Sequence, residues 1–197
     1  MKKQPFILSL CLLLGLMACR ERIEPESDDF AEYGWTLYAD RDFQGALDQF
    51  ETGMDMDSMY IDGYNGSGWC YVELNNPDSA FGFFNDGLEF ISDDSSRVYF
   101  ELLAGRALSY HVLEQYQLAI DDGEKLYEGS PVFEFRHDWR INYVDIIVML
   151  AASYYAEGDF ASALLWVQNH DEDFSVDVTT NQGRADLIEK IDLMQNL

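Results

Sequence analysis

The feature that most constrains the fold of this chain is an internal repeat with a period of 34 residues. Five pairs of identical residues stand at this offset: Gly34 and Gly68, Trp35 and Trp69, Ala46 and Ala80, Phe50 and Phe84, and Gly53 and Gly87. A fixed period of roughly 20 to 50 residues is the signature of architectures in which each unit buries its apolar face against its neighbours. The sequence therefore predicts a row of similar units that share one core.

The repeat resembles the tetratricopeptide repeat (TPR), in which two antiparallel helices, A and B, form one unit. In that family, small residues at the eighth and twentieth positions allow close helix packing. In this register the chain has four units over residues 27–176, with the following small residues: Gly34, Gly68, Ala107 and Ala151 at the eighth position, and Ala46, Ala80, Ala119 and Ala163 at the twentieth. The resemblance implies an all-α fold, a right-handed α-solenoid of about four TPR-like helix pairs.

Three departures from the pattern lead to separate expectations. The spacing of the twentieth-position alanines grows from 34 to 39 and then 44 residues, so extra residues are expected as longer A helices or as loops around residues 92–96 and 129–138. Gly53 and Gly87 stand where the family prefers Ala, and interior glycines weaken helices, so these B helices are expected to end early. Apolar residues recur at helical spacing from Arg184 onward and predict a C-terminal capping helix.

The first residues have the layout of a bacterial signal peptide. A short positive start precedes an apolar run over residues 6–17, which is shorter than the roughly 20 residues that a transmembrane helix needs. The run ends in Leu16-Met17-Ala18-Cys19, which resembles the lipobox of bacterial lipoproteins. That resemblance implies cleavage before Cys19 and attachment of lipid to its thiol. The alternative is an ordinary secretory signal that contains a cysteine by coincidence.

These signals divide the chain into three predicted parts. Residues 1–18 are the lipoprotein signal peptide, residues 19–29 a lipidated tether, and residues 30–197 the TPR-like repeat domain. In enterobacterial lipoproteins an Asp directly after the lipidated Cys retains the protein at the inner membrane. Arg20 stands there in this chain, so the resemblance points to the outer membrane, with the protein facing the periplasm.

Net charge excludes some classes of partner. The chain carries 37 Asp and Glu against 12 Lys and Arg, a formal charge of −25. Such a surface repels nucleic-acid backbones and anionic membrane surfaces, so contact with a membrane is expected only through the N-terminal lipid.

The sequence carries no recognisable catalytic or phosphate-binding motif, and its three His are scattered, so no enzyme, cofactor or metal site is predicted. An enzyme subunit with an unrecognised site is the alternative. The acidic run of residues 171–173 with Asp177 lacks the spacing of a calcium loop, and it is read as solvated rather than as a cation site. Cys70 is expected to pack as a small buried hydrophobe.

The TPR resemblance places a peptide-binding groove on the A helices. Family positions two, five, nine and twelve of helix A select these candidate groove residues: Trp35, Tyr38, Asn65, Trp69, His111 and Tyr155, with Asp28, Asp62, Glu101 and Asp145 at an acidic edge. The Lys and Arg with which some family members hold a C-terminal carboxylate are missing. The alternative is that the aromatic residues pack between helices and that the acids form a solvated face.

These observations favour a non-enzymatic, membrane-anchored periplasmic scaffold for protein–protein interaction, in assembly or maintenance of an envelope complex. Aromatic faces attract cations and acidic residues steer them, so the expected partner is a basic or aromatic segment. A surface-exposed lipoprotein that captures a ligand is the other hypothesis.

Overall fold

The computed structural model describes residues 25–195, so the predicted signal peptide, Cys19 and most of the predicted tether lie outside the described residues. The helices of this part, in chain order, are α1 (Ser27–Ala39), α2 (Phe43–Met56), α3 (Ile61–Glu73), α4 (Pro77–Phe90), α5 (Arg97–Val112), α6 (Tyr116–Gly129), α7 (Tyr143–Glu157), α8 (Phe160–His170) and α9 (Asn181–Met194). Each helix packs against the next in four antiparallel pairs, and α9 packs on α7 and α8. This confirms the predicted all-α solenoid. Helix α1 begins at Ser27, three residues before the predicted start of the repeat domain.

The turn inside each helix pair repeats along the chain. A residue with positive φ follows each A helix within two positions, and these residues are Arg41, Asn75, Glu114 and Gly158. The next B helix then begins at a capping side chain in three of the four pairs. Asn76 accepts from the Ser79 amide at 3.2 Å, and Asp159 accepts from the Ser162 amide at 3.1 Å. Such caps satisfy amides that have no partner within the helix.

The 34-residue period reflects a repeated packing device. Phe50 of α2 is fully buried between Gly34 of α1 and Gly66 of α3. A Cβ at Gly34 would come within 2.8 Å of the Phe50 ring. One unit later, Phe84 is wedged in the same way between Gly68 and Gly105. The first two B helices, α2 and α4, therefore each insert a phenyl ring between two A helices at points where only glycine leaves room.

Two expectations about helix ends are wrong. Helices α2 and α4 continue three residues beyond Gly53 and Gly87, to Met56 and Phe90. A Cβ at Gly53 would lie 3.3 Å from the Ser27 carbonyl oxygen, and one at Gly87 would lie 2.9 Å from Leu102 Cδ2. These glycines allow α2 and α4 to approach their neighbours closely, and this packing offsets the roughly 1 kcal/mol that a helical glycine costs relative to Ala.

The predicted capping helix is present as α9. It begins at Asn181, earlier than the predicted Arg184, because the Thr180 hydroxyl caps it by accepting from the Gly183 amide at 3.0 Å. Its buried apolar side chains join a second core cluster with those of α7 and α8: Leu187, Ile191 and Met194 lie against Ile147, Val148, Ala163 and Val167. No helix among residues 25–195 is long and apolar enough to span a membrane.

Candidate binding groove

The four A helices, α1, α3, α5 and α7, contact one another in order and form the inner face of the solenoid. We define the groove as the part of this face formed by Trp35, Tyr38, Asn65, Trp69 and Glu101. Side chains four residues apart share a helix face, so Asn65 and Trp69 lie side by side on α3. Two hydrogen bonds join the helices here: Trp35 Nε1 donates to Asp62 Oδ2 at 3.1 Å, and Asn65 Nδ2 donates to Glu101 Oε2 at 2.8 Å.

The groove is filled by residues 130–142, the loop between α6 and α7, which we call the strap. Its side chains alternate between inward and outward positions. Phe133, Phe135 and His137 are buried or half-buried, and they alternate with exposed Val132, Glu134 and Arg136. This alternation is typical of an extended chain, whose successive side chains point to opposite sides. An extended segment of the protein itself therefore lies where the sequence predicts a bound peptide.

Aromatic contacts hold the strap in the groove. Phe135 is fully buried, and its ring stacks on Trp69 with the centroids 4.3 Å apart. It also meets Trp35 and Tyr38 edge-on at 6.0 and 6.2 Å. The His137 imidazole is parallel to the Trp35 indole, with 3.5 Å between centroids. Aromatic pairs of this kind contribute about 0.5–1.5 kcal/mol each beyond the area that they bury.

Charged groups add polar contacts between the strap and α5. Arg97 Nη2 donates to the Glu134 carbonyl oxygen at 3.3 Å, and Arg97 Nε lies 3.3 Å from Glu101 Oε1. Burial raises the pKa of Glu101, although the Asn65 hydrogen bond and the charges of Arg136 and Arg97 oppose this shift. The strap thus supplies part of the positive charge that the buried carboxylate needs.

The groove favours neutral groups. Burial raises the pKa of Asp62, against the Trp35 hydrogen bond and the Arg136 charge. Burial also lowers the pKa of His137 from 6.5 to about 3, assisted by the charges of Arg136 and Arg97. Arg136 Nε donates to His137 Nε2 at 3.2 Å, which requires that this nitrogen carry no proton. His137 is therefore neutral at pH 7.

Four buried polar atoms in the groove have no hydrogen-bond partner among residues 25–195: the Tyr38 hydroxyl, Asn65 Oδ1, Trp69 Nε1 and Glu101 Oε1, of which the last lies in the ion pair with Arg97. Tyr38 and Trp69 contact Phe135 of the strap, whose ring offers neither donor nor acceptor. An unsatisfied buried polar group costs about 1–3 kcal/mol. The strap thus fills the space of the groove but gives these polar atoms no hydrogen-bond partners.

Solved structures of TPR proteins share this architecture. The chain is similar to the MamA RS-1 ArsTM double mutant, with a TM-score of 0.62 and 11% identity over 89% of this chain and 97% of that one. It is also similar to YrrB, a TPR protein with an unusual peptide-binding site, at 0.59 and 15% over 85% of each chain. The first TPR of Spaghetti (RPAP3), bound to HSP90 peptide SRMEEVD, gives 0.56 and 17% over 68% of this chain and 94% of that one. The fold is a TPR solenoid. No protein-family model and no curated protein matches the sequence.

The TPR register brings only some of the predicted groove residues together. Trp35, Tyr38, Asn65, Trp69, Asp62 and Glu101 converge around the strap, while exposed Asp28 lies at the rim. The other three predicted residues make separate contacts: His111 Nδ1 lies 2.8 Å from Ser153 Oγ, Tyr155 packs edge-on against Phe160, and Asp145 accepts from the Asn142 amide in the cap of α7.

Sequence reasoning missed Phe135, Arg136 and His137 as groove residues. They lie in the insertion, where the repeat register assigns no position. The available signal was composition, since the 130–142 segment contains three aromatic residues and two arginines in a chain of charge −25.

The other side chains that could bind a metal ion or react make contacts outside the groove or are buried. Among the described residues, no group of three or more His, Cys, Asp or Glu could hold a metal ion. In the acidic segment near the C-terminus, Asp171 pairs with Lys190 and Asp177 accepts from the Thr179 amide. Cys70 is fully buried, as predicted, and burial raises the pKa of its thiol to about 12.

Proposed function

We propose that this protein is a non-enzymatic scaffold that binds a protein partner in its groove and is held at the bacterial outer membrane, facing the periplasm, by lipid on Cys19. Its likeness to TPR structures supports an interaction role, since one of them is bound to an HSP90 peptide and another has a peptide-binding site. We expect the scaffold to serve assembly or maintenance of an envelope complex.

The observation that carries this proposal is the strap itself. A stretch of extended chain fits between α1, α3 and α5 and seats one aromatic ring and one imidazole on Trp69 and Trp35. A groove that accepts this segment has the width and the aromatic floor to accept a similar segment of another protein.

Charge indicates which segment that would be. The HSP90 peptide SRMEEVD is acidic, whereas the groove of this chain carries Asp28 at its rim and the carboxylates of Asp62 and Glu101 within it. Acidic borders attract basic segments over distances of about 10 Å and do so less at high salt. The proposed partner is therefore a basic or aromatic segment, and an acidic tail is disfavoured.

Affinity capture from membranes with the full-length lipidated protein tests the binding role. Asp28→Lys places a positive charge at the groove rim and should reduce capture of a basic partner severalfold. Glu51→Lys is the matched control, because Glu51 is also exposed but lies on α2, outside the groove. The captured partner should also be released at high salt. An acidic partner, or one whose capture is unaffected by Asp28→Lys and by salt, contradicts the proposal.

Membrane anchoring has its own test. Two or more acyl chains hold a protein firmly at a membrane, so Cys19→Ser should move the protein from the membrane fraction to the soluble fraction. An unchanged distribution together with no acyl label on the wild type would refute lipidation. Protease added to intact cells should leave a periplasmic protein whole, while digestion there would favour the surface-exposed, ligand-capturing alternative.

A further inference from the structure

We propose that the strap is a built-in competitor: it closes the groove and must undock before a partner segment of the same kind, an aromatic residue followed by basic and imidazole side chains, can bind. This inference rests on the proposed binding role of the groove and adds its regulation and the chemistry of its ligand.

The strap is built to move as a preformed unit. Its two legs are joined to each other, since the Phe135 amide donates to the Ile141 carbonyl at 2.9 Å and the Tyr143 amide donates to the Phe133 carbonyl at 2.7 Å. At its tip, Asp138 and Arg140 form an ion pair. These bonds lie within the strap and its junction with α7, so undocking the tip breaks none of them.

Aromatic packing and a small number of polar contacts fasten the tip to the groove, while Phe133 and Ile141 pack the base of the strap against the core. Phe135 and His137 supply the aromatic contacts, and Arg97 supplies a hydrogen bond to the strap backbone. Val132 and Trp139 face outward and are 80% and 74% exposed. Because the base of the strap can stay packed while its tip detaches, the tip can open without unfolding the repeats that surround it.

The docked strap is an imperfect ligand for the groove. It leaves the Tyr38 hydroxyl, Asn65 Oδ1 and Trp69 Nε1 without hydrogen-bond partners among the described residues. A partner whose backbone reached these atoms would satisfy groups that the Phe135 ring leaves unpaired. Exchange of the strap for such a partner is therefore favourable where the partner keeps the aromatic and imidazole contacts.

Open cavities on both sides of His137 give a partner a place to begin the exchange. One, of about 700 Å³, is bordered by Asp28, Trp35 and Asp62. The other, of about 240 Å³, is bordered by Tyr38, Glu73 and Trp139. Both lie directly beside the docked imidazole, so a partner could contact the groove before the strap leaves.

A peptide copied from the strap tests the proposal. The probe is a fluorescent peptide of residues 131–140, PVFEFRHDWR, and binding is followed by fluorescence anisotropy with the full chain. If the groove is accessible only in the fraction of molecules with the strap undocked, the apparent Kd equals the intrinsic Kd divided by that fraction. Phe135→Ala in the protein should therefore lower the Kd for the peptide by about tenfold or more.

Two controls separate competition from general loosening of the fold. Val132→Ala removes an exposed apolar side chain from the same strap, outside both cavities, and it should leave the Kd within about twofold of the wild type. A peptide with alanine in place of its Phe135 should not bind the Phe135→Ala protein. Equal binding of the peptide to wild type and Phe135→Ala protein, or no binding to either, overturns the proposal.

A measurement on the wild-type protein does not depend on how well the variant folds. In a labelled protein with unlabelled peptide, the nuclear Overhauser cross-peak between the Trp69 and Phe135 rings should disappear at saturation, with the protein still monomeric by light scattering. Peptide binding that preserves this cross-peak, or that produces dimers with exchanged straps, contradicts the proposal. In either case the binding role would stand, because it is judged by capture of the natural partner and by Asp28→Lys.

Discussion

The two longest connections between helix pairs differ in burial: one stays exposed and the other docks on the inner face of the solenoid. Residues 91–96, between α4 and α5, stay at the edge of the solenoid with Asp93, Asp94 and Ser95 exposed. Residues 130–142, the strap, cross the inner face and bury Phe135 completely. Both are insertions relative to the 34-residue period, so insertion alone does not explain why one of them docks.

Side-chain chemistry explains the difference. In the first connection, the Asp93 carboxylate accepts from the Ser95 amide at 3.0 Å and from the Ser95 hydroxyl at 2.7 Å. These bonds lower the pKa of Asp93 and complete the turn without help from the groove. The strap instead carries aromatic side chains, which gain free energy on leaving water. Where a groove of buried tryptophans is open, an apolar insertion enters it and a polar insertion stays outside.

The largest predicted effect is the loss of stability when a buried side chain of the strap is truncated, compared with the same change in the first connection. Phe135→Ala should lower the free energy of unfolding by about 3 kcal/mol, the low end of the range for a buried Phe, because an undocked strap leaves the repeats intact and so limits the loss. Ile91→Ala in the first connection removes a partly buried side chain and should cost about 1 kcal/mol. Urea denaturation followed by circular dichroism measures both, and equal losses would mean that the strap contributes no more than the edge connection.

The second prediction concerns the polar contacts around α5, the helix that follows the first connection. Arg106 of α5 donates to both carboxylate oxygens of Asp122 on α6, at 2.7 and 2.9 Å, and to Asn85 Oδ1 on α4 at 3.1 Å. Arg106→Met leaves Asp122 mostly buried and unpaired, and it should cost about 2 kcal/mol of unfolding free energy. The double variant with Asp122→Leu should recover much of that loss. No recovery would show that the guanidinium acts through its packing alone.

The third prediction is that low pH loosens the strap and leaves the first connection unaffected. His137 has a pKa near 3 when docked and near 6.5 when free, so below pH 6.5 the undocked strap takes up a proton that the docked strap does not. Docking is therefore fully favourable above about pH 6.5 and weakens as the pH falls towards 3. The raised pKa values of Asp62 and Glu101 act in the opposite direction. We expect a net weakening of docking by less than about tenfold between pH 7.5 and 5, visible in tryptophan fluorescence, and no weakening in His137→Phe, where only the opposing carboxyls remain.

The smallest predicted effect comes from Asp62, which accepts a hydrogen bond from Trp35 Nε1 in the groove. Burial raises the pKa of Asp62, so its charge is unfavourable in the folded protein at pH 7. Asp62→Asn keeps an acceptor for Trp35 Nε1 and should raise stability by less than about 1 kcal/mol. Exposed Asp28→Asn is the matched control and should change nothing measurable in thermal denaturation. A loss of stability in Asp62→Asn would mean that the charged hydrogen bond outweighs the burial.

The repeat architecture could be predicted from sequence because its contacts recur. Gly34 with Phe50, and Gly68 with Phe84, report the same packing one period apart, and the helix starts at Asn76 and Asp159 depend on local capping. A contact that recurs, or that lies within four residues, leaves a trace in the sequence.

The strap could not be predicted in the same way. Its contacts are unique and distant, since Phe135 meets a tryptophan 66 positions earlier and no period links them. The TPR resemblance selected Trp35, Trp69, Asn65 and Glu101, which the structure places near one another around the strap. It also selected Asp145, whose carboxylate is occupied in capping α7, because a position in a repeat does not say how the local cap uses its side chain.

If the protein's own strap fills the groove, the Phe135 ring lies against Trp69 in solution. Ring centroids 4.3 Å apart place protons of the two side chains within range of the nuclear Overhauser effect. In the free protein at pH 7, we predict cross-peaks between the Trp69 indole and the Phe135 ring, and Phe135 signals displaced by the tryptophan ring current. Random-coil shifts for Phe135, with no cross-peak to Trp69 and exposed Trp69 fluorescence, would show that the groove is open and would contradict the account.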